Sequence, residues 1–230
     1  MQLAIQVCNY LIGVPLELLI IAALLRGAYR RFPFIFVYII AYFLTTVAEI
    51  PVYIAYYSGV KGARGFRVKL YWIDEGILQL LVFAVVMSLI YEASSRLGSR
   101  RMVRAVLSIG TVVFAGVSFL IHHAPGLGLS VWMTTWTRDL SFGSTILDLA
   151  LWFLLIASKK KDSLLLMLSG ALGIQFTGEA IGESLRDLST ARVVVGAGDI
   201  LIILADFVFL YIWWQAFRGA PKKNRSSQTA

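Results

Sequence analysis

Leu164-Leu-Leu-Met-Leu-Ser-Gly-Ala-Leu-Gly-Ile-Gln-Phe-Thr-Gly-Glu-Ala-Ile-Gly-Glu-Ser-Leu185 is an apolar run of bilayer-spanning length that carries Gln175, Glu179 and Glu183. At about 1.5 Å of rise per residue such a run crosses the roughly 30 Å hydrocarbon layer. Gln175, Glu179 and Glu183 recur every fourth position and so form one stripe, with Gly178 and Gly182 beside it. A carboxylate inside hydrocarbon needs a partner, a cavity or a proton. The rest of the chain is read for which of these it supplies.

Runs of the same kind recur from end to end. The 230 residues are 59% hydrophobic and 15% charged, which excludes a soluble domain. Seven spans are expected, at about residues 3–25, 33–57, 70–91, 105–120, 131–157, 164–185 and 193–217. Together they form an all-α, seven-helix transmembrane domain over residues 1–217. Residues 218–230 are basic and polar and read as a disordered tail. The start does not read as a signal peptide: no basic residue precedes the first apolar run, and Glu17 interrupts it. Cys8 is the single cysteine, so no intrachain disulfide can form.

Lys and Arg set the expected orientation. Fourteen lie at the loops after spans 1, 3 and 5 and in the tail. Seven lie on the other side: Lys61, Arg64, Arg67, Lys69, Arg138, Arg186 and Arg192. By the positive-inside rule the N-terminus is outside and the C-terminus cytoplasmic. The net charge of +8 then reports lipid-facing cytoplasmic loops, and nucleic acid is not an expected partner.

Ten of the 13 acidic residues fall within the spans. Glu49, Asp74, Glu75, Asp139, Glu179, Glu183 and Asp199 fall toward the outer side, and Glu17, Asp148 and Asp206 nearer the middle. Gln79 and Gln175 sit one turn from Glu75 and Glu179, and Gly76, Gly178, Gly182 and Gly198 flank the acids. The expected picture is a polar cavity opening outward, lined by spans 2, 3, 5, 6 and 7, with Arg138 at its edge. Two readings stand side by side: a ligand- or ion-binding cavity, and a structural network in which the arginines of that side neutralise the acids.

Other motifs carry less. Gly196-Ala-Gly-Asp199 matches the Gly-x-Gly-Asp signature of intramembrane aspartyl proteases, where two aspartates activate water. The resemblance covers four residues; the Tyr-Asp partner, the Pro-Ala-Leu motif and two later spans are absent. His122-His123 is the chain's histidine pair, but adjacent helical residues point about 100° apart and chelate poorly, so no metal is expected. The last span holds no lysine after Asp206, which argues against a covalent retinal protein. No cofactor is indicated.

Leu24-Leu-Arg-Gly-Ala-Tyr-Arg-Arg-Phe-Pro-Phe34, then Tyr71-Trp-Ile-Asp-Glu-Gly76 and Tyr91-Glu92, resemble the motifs of short integral membrane proteins numerous in acidobacteria. The similarity covers roughly the first 95 residues. It implies a bacterial inner-membrane setting and adds weight to Trp72 and Glu75, with no assigned chemistry. The first functional expectation is a receptor-like or accessory protein binding a small polar or cationic ligand in the outer cavity, with a protein partner at the cytoplasmic loops. A proton or cation transporter using Asp199, Asp206, Asp148 and Glu17 is the second. An intramembrane hydrolase using Asp199 is the third, and a structural membrane subunit completes the set.

Overall fold

The computed structural model describes residues 2–60, 62–94, 100–122, 129–157, 162–188 and 192–219. Among them the chain forms seven α-helices: α1 (Gln2–Leu25), α2 (Pro33–Tyr57), α3 (Ala63–Ser94), α4 (Arg100–His122), α5 (Leu129–Ala157), α6 (Ser163–Leu188) and α7 (Arg192–Arg218). A 3₁₀ turn at Ala28–Arg30 links α1 to α2. Five helices, α2, α3, α5, α6 and α7, are long and apolar enough to cross a membrane. The apolar runs described in α1 and α4 are shorter, Asn9–Leu25 and Val112–Ile121. The chain is a helical, multi-pass membrane protein. The polar tail beyond Gly219, the turn from His123 and the Lys159–Lys161 run lie outside the described residues.

Local chemistry sets the helix ends. Pro33 occupies the first turn of α2, where its missing N–H costs nothing and its fixed φ suits the helix. The expected loop 58–69 is shorter in the structure. Gly59 and Gly62, at φ of +72° and +87°, reverse the chain, a conformation that a Cβ disfavours. Helix α3 then begins at Ala63, about two turns before Leu70. Arg67 therefore rides on a helix facing α2 instead of floating in a loop.

The helices pack in a closed ring in the order α1, α2, α3, α5, α6, α7, with α7 returning to α1. Helix α4 lies outside the ring against α3 and α5 and leaves Val112, Val113, Leu120 and Ile121 exposed. Most of the ring's outer surface is likewise apolar, as with Leu11, Leu44, Ile54, Ile73, Phe142 and Phe153. Such a surface suits hydrocarbon.

The interior divides into two halves. At the end where α1 finishes and α2 begins, large side chains fill the ring: Ile20, Leu24, Ile35, Ile39, Leu89, Leu168, Phe209 and Trp213 are all fully buried. Tyr38 meets Phe209 and Trp213 edge-on, and Phe32 and Trp213 both meet Phe217. The Trp213 indole donates to the Leu168 carbonyl at 3.1 Å. At that rim Arg31 donates to Glu92 at 2.9 Å and to Asp162 at 3.3 Å, joining α1–α2 to α3 and α6. Trp213→Phe is expected to cost about 1–2 kcal/mol, for one buried hydrogen bond and the lost ring volume. Thermal unfolding in detergent measures it; an unchanged midpoint would remove Trp213 as a packing centre.

The closest helix pair is α6 with α7. A methyl on Gly178 would overlap Ala205. One on Gly198 would come within 2.6 Å of the Gly182 carbonyl, and one on Gly182 within 2.9 Å of the Gly198 carbonyl. The glycines that flank the acids thus admit the neighbouring helix, as small residues do at membrane helix interfaces.

Candidate functional site: a carboxylate-lined chamber

The other half of the ring is polar. Seven carboxylates from five helices converge there: Glu17 of α1, Glu49 of α2, Asp74 and Glu75 of α3, Glu179 and Glu183 of α6, and Asp206 of α7. Glu75 is the hub, within electrostatic range of Asp74, Glu49, Glu183, Glu179 and Asp206. Helical periodicity explains why each acid arrives. Glu179 and Glu183 repeat at four residues on the inward face of α6, as do Tyr38, Tyr42 and Thr46 on α2.

The outer end of the cluster lies at the end bearing the chain's N-terminus. There Glu183 and Tyr71 are exposed. Tyr10 donates to Glu49 at 3.3 Å. Arg67 donates to the Tyr53 hydroxyl at 3.1 Å, and its guanidinium lies 4.4 Å from the Tyr53 ring centre and 4.8 Å from that of Tyr56. That is cation–π geometry.

Deeper, Gln175 donates to Glu179 at 3.2 Å and faces Tyr38 and Asp206. Thr46 donates to Glu17 at 3.2 Å, with the Tyr42 carbonyl at 2.9 Å competing for the same proton. Glu17 itself lies over Gly13, where an added methyl would sit 3.6 Å from its carboxylate. Asp74 faces Thr45. Glu17 Oε2, Asp74 Oδ1, Gln79 Nε2, Gln175 Oε1 and Asp206 Oδ1 are buried with no hydrogen-bond partner in the protein. Buried polar atoms are ordinarily paired, with protein or with ordered water, so this concentration makes the cluster the candidate site. Below Asp206 the aromatic and aliphatic packing of Tyr38, Phe209 and Trp213 closes the ring.

The remaining sequence-derived candidates go elsewhere. Asp199 is ion-paired with Arg186 at 3.3 Å, which occupies both. Asp139 accepts from Ser118 of α4 at 2.7 Å, and Arg138 beside it is exposed. Asp148 accepts from Ser169 at 2.7 Å and lines a different cavity. That cavity, of about 660 Å³, is a groove between α5 and α7 floored by α6, lined mainly by apolar residues such as Leu149, Trp152, Ile174 and Leu204. Its lining is largely exposed on the apolar outer surface, so volume and polar chemistry lie in different places. The carboxylate cluster is drawn from α1, α2, α3, α6 and α7. Helix α5, expected as a wall, spends its acids on α4 and on the groove.

Tyr10, Tyr38, Tyr42, Thr45 and Thr46 join the site without having been singled out by the sequence, and Arg67, expected there only as a same-side countercharge, joins them. The run Tyr38, Tyr42, Thr46 with Glu49 and Tyr53 beyond it is a one-face stripe that could have flagged them. Among the described residues, ion pairs join Arg31 to Glu92 and Asp162, and Arg186 to Asp199. None reaches the seven chamber carboxylates. No three of the described His, Cys, Asp and Glu residues form a metal-holding group. No protein-family model, curated protein or solved structure matches this chain at a significant level.

Proposed function

We propose that this chain is a seven-span bacterial inner-membrane protein, N-terminus outside, that binds a small polar or cationic ligand in the carboxylate-lined chamber. It acts as a receptor-like or accessory subunit. The Lys and Arg distribution supports the orientation, and the resemblance of the first 95 residues supports the setting. The observation carrying the function is that five buried polar atoms lack partners inside a ring of seven carboxylates while the nearby arginines are engaged. Arg186 holds Asp199, and Arg67 lies on Tyr53 and Tyr56, within electrostatic range of Glu49 but without an ion pair to it. A purely structural network would pair these groups, because an unpaired buried charge costs several kcal/mol.

The packed half beneath Asp206 favours binding over conduction, since a path would continue through it. Asp148, which a path would require, lies in the lateral groove. Asp199 is held by Arg186, which counts against its use as a catalytic aspartate. The sealed chamber passes its signal through helix packing to a partner at the cytoplasmic loops.

Two measurements test this. Protein purified into lipid nanodiscs should melt at a higher temperature with small organic cations, and Glu75→Gln should lose at least about tenfold in apparent affinity, near 1.4 kcal/mol. Proteoliposomes should show no proton or cation flux above that of Asp206→Asn. Flux that the variant abolishes would replace binding with transport. A melting midpoint indifferent to every cation would end the binding reading.

A further inference from the structure

The lateral groove between α5 and α7 follows α6 from Gly170 to Ile181, about 16 Å at 1.5 Å per residue. Each end of it lies seven residues from an end of α6 (Ser163–Leu188), about 10 Å in from either side. The groove therefore opens sideways into the hydrocarbon layer. Its volume of about 660 Å³ falls within the roughly 300–1,000 Å³ of small-molecule sites.

Two polar groups stand at its Gly170 end. Asp148 lines the groove, is 3% exposed, and accepts from Ser169 at Oδ1. Its Oδ2 has no hydrogen bond among the described residues and stands over Gly173, 3.4 Å from where a Cβ would be. Trp152, one turn further along α5, holds its indole nitrogen over Gly170, 3.7 Å from a Cβ there. That N–H also has no partner among the described residues. The hydroxyls of Thr145 and Thr177 are spent on carbonyls of their own helices. The groove thus offers one free carboxyl oxygen and one free donor, about a helical turn apart, over a shelf of bare glycine backbone.

That pattern narrows the occupant. A phospholipid keeps its headgroup at the interface and offers only hydrocarbon at this depth, leaving both polar groups unpaired at a cost. A helix of the groove's length and about 10 Å diameter would occupy roughly 1,300 Å³, twice the space. A single hydroxyl on a tail reaches one group and strands the other. The two oxygens across a 1,4-quinol ring stand about as far apart as one helical turn, about 5.4 Å. A hydroxyl serves Asp148 with or without a proton on that carboxyl, because it both donates and accepts.

We infer that the groove binds a quinol carrying a hydrocarbon tail, one hydroxyl at Asp148 Oδ2 and the opposite oxygen accepting from Trp152 Nε1. The ring lies on Gly170 and Gly173, and the tail follows Ile174, Ile181 and Leu204. This site is separate from the carboxylate cluster and takes its ligand from the membrane.

The test is equilibrium uptake by nanodiscs holding the full chain, under argon, with uptake by empty nanodiscs of equal lipid content subtracted. The probes are 2-decyl-1,4-hydroquinone, 3-decylphenol and decylbenzene, which carry two, one and no hydroxyls. The hydroquinone should bind saturably, one per chain, and at least about tenfold tighter than the phenol; decylbenzene should show no saturable uptake. Trp152→Phe, which removes only the exposed N–H and some ring area, and Asp148→Leu should each shrink the hydroquinone-to-phenol ratio to below about threefold. Gly170→Leu should abolish hydroquinone binding at an unchanged melting midpoint, because a Cβ there meets only the Trp152 ring. Uptake of hydroquinone no greater than by empty discs, or equal to that of decylbenzene, overturns the inference and leaves the groove to bulk lipid. Equal affinity for hydroquinone and phenol in the wild-type chain overturns the two-point seat, as does an unchanged ratio in both the Trp152 and Asp148 variants.

Discussion

Gly182→Leu is expected to separate α6 from α7 and to produce the largest loss of stability of any single substitution in the ring. Gly182 faces Ile202 and the Gly198 carbonyl, and even a methyl there would lie 2.9 Å from that oxygen. Backbone cannot rotate away as a side chain can, so the helices must move apart. Overpacking typically costs about 1–3 kcal/mol. Here the displaced surface is the most extensive helix pair in the fold, and the upper figure applies. For a chain of this size about 3 kcal/mol lowers the melting midpoint by roughly 6–12 °C. Gly65→Leu is the control, because nothing lies within 4 Å of a Cβ at that position, and it should leave the midpoint unchanged. Equal midpoints for the two variants would show that α6 and α7 are not held by this glycine contact.

Neutralising the chamber should have the opposite sign. Glu179→Gln combined with Asp206→Asn is expected to raise the melting midpoint of the ligand-free protein and to abolish stabilisation by small organic cations. The two carboxylates lie together with Glu75 and Gln175, with no ion pair to either among the described residues. Neighbouring like charges at an effective dielectric of about 20 repel by roughly a few kcal/mol. Relieving that repulsion while keeping the side-chain shape should add roughly 5–10 °C. A structural role predicts the reverse, because an amide pair would then break a satisfied network. A lower midpoint for the double variant would therefore assign these acids to fold maintenance. Gain of stability with loss of binding is the usual exchange at a functional site.

The glycines show where sequence reading stops. Gly178, Gly182 and Gly198 announce a close approach, but spacing alone does not say whether a ligand or a helix makes it. The structure shows that α7 makes it, through Ala205, Ile202 and Gly198. The consequence reaches the carboxylates, because tight packing on the glycine face sets α6 in rotation so that Glu179 and Glu183 turn to the ring interior. Arg186 is a second case. It lies three residues from Glu183 in sequence, yet its partner is Asp199 of α7. Which of several same-side acids an arginine takes depends on helix rotation, and a single sequence does not encode that in any local pattern.

Asp139 and Asp148 mark the same boundary. Both occupy span 5 at depths matching the other acids, and depth was all that composition and rise per residue could measure. Their azimuth sends one to Ser118 on α4 and the other to Ser169 above the lateral groove. Glu17, in contrast, enters the chamber from α1 because α1 closes the ring between α2 and α7. Neighbour order in a ring of helices comes from packing between distant segments, which periodicity within one helix does not report.

By itself the sequence determined the helical membrane architecture and the ends of α2 and α7 to within a residue or so. Hydrophobic run length, proline and glycine chemistry, and the rise of a helix are local properties, so local residues suffice to specify them. Tertiary structure alone decided which acids meet, which are already paired, and which half of the ring is sealed. Gly178–Glu183 contains both lessons: its carboxylates were legible as a stripe, but only the close seating of α6 on α7 aims that stripe into a chamber.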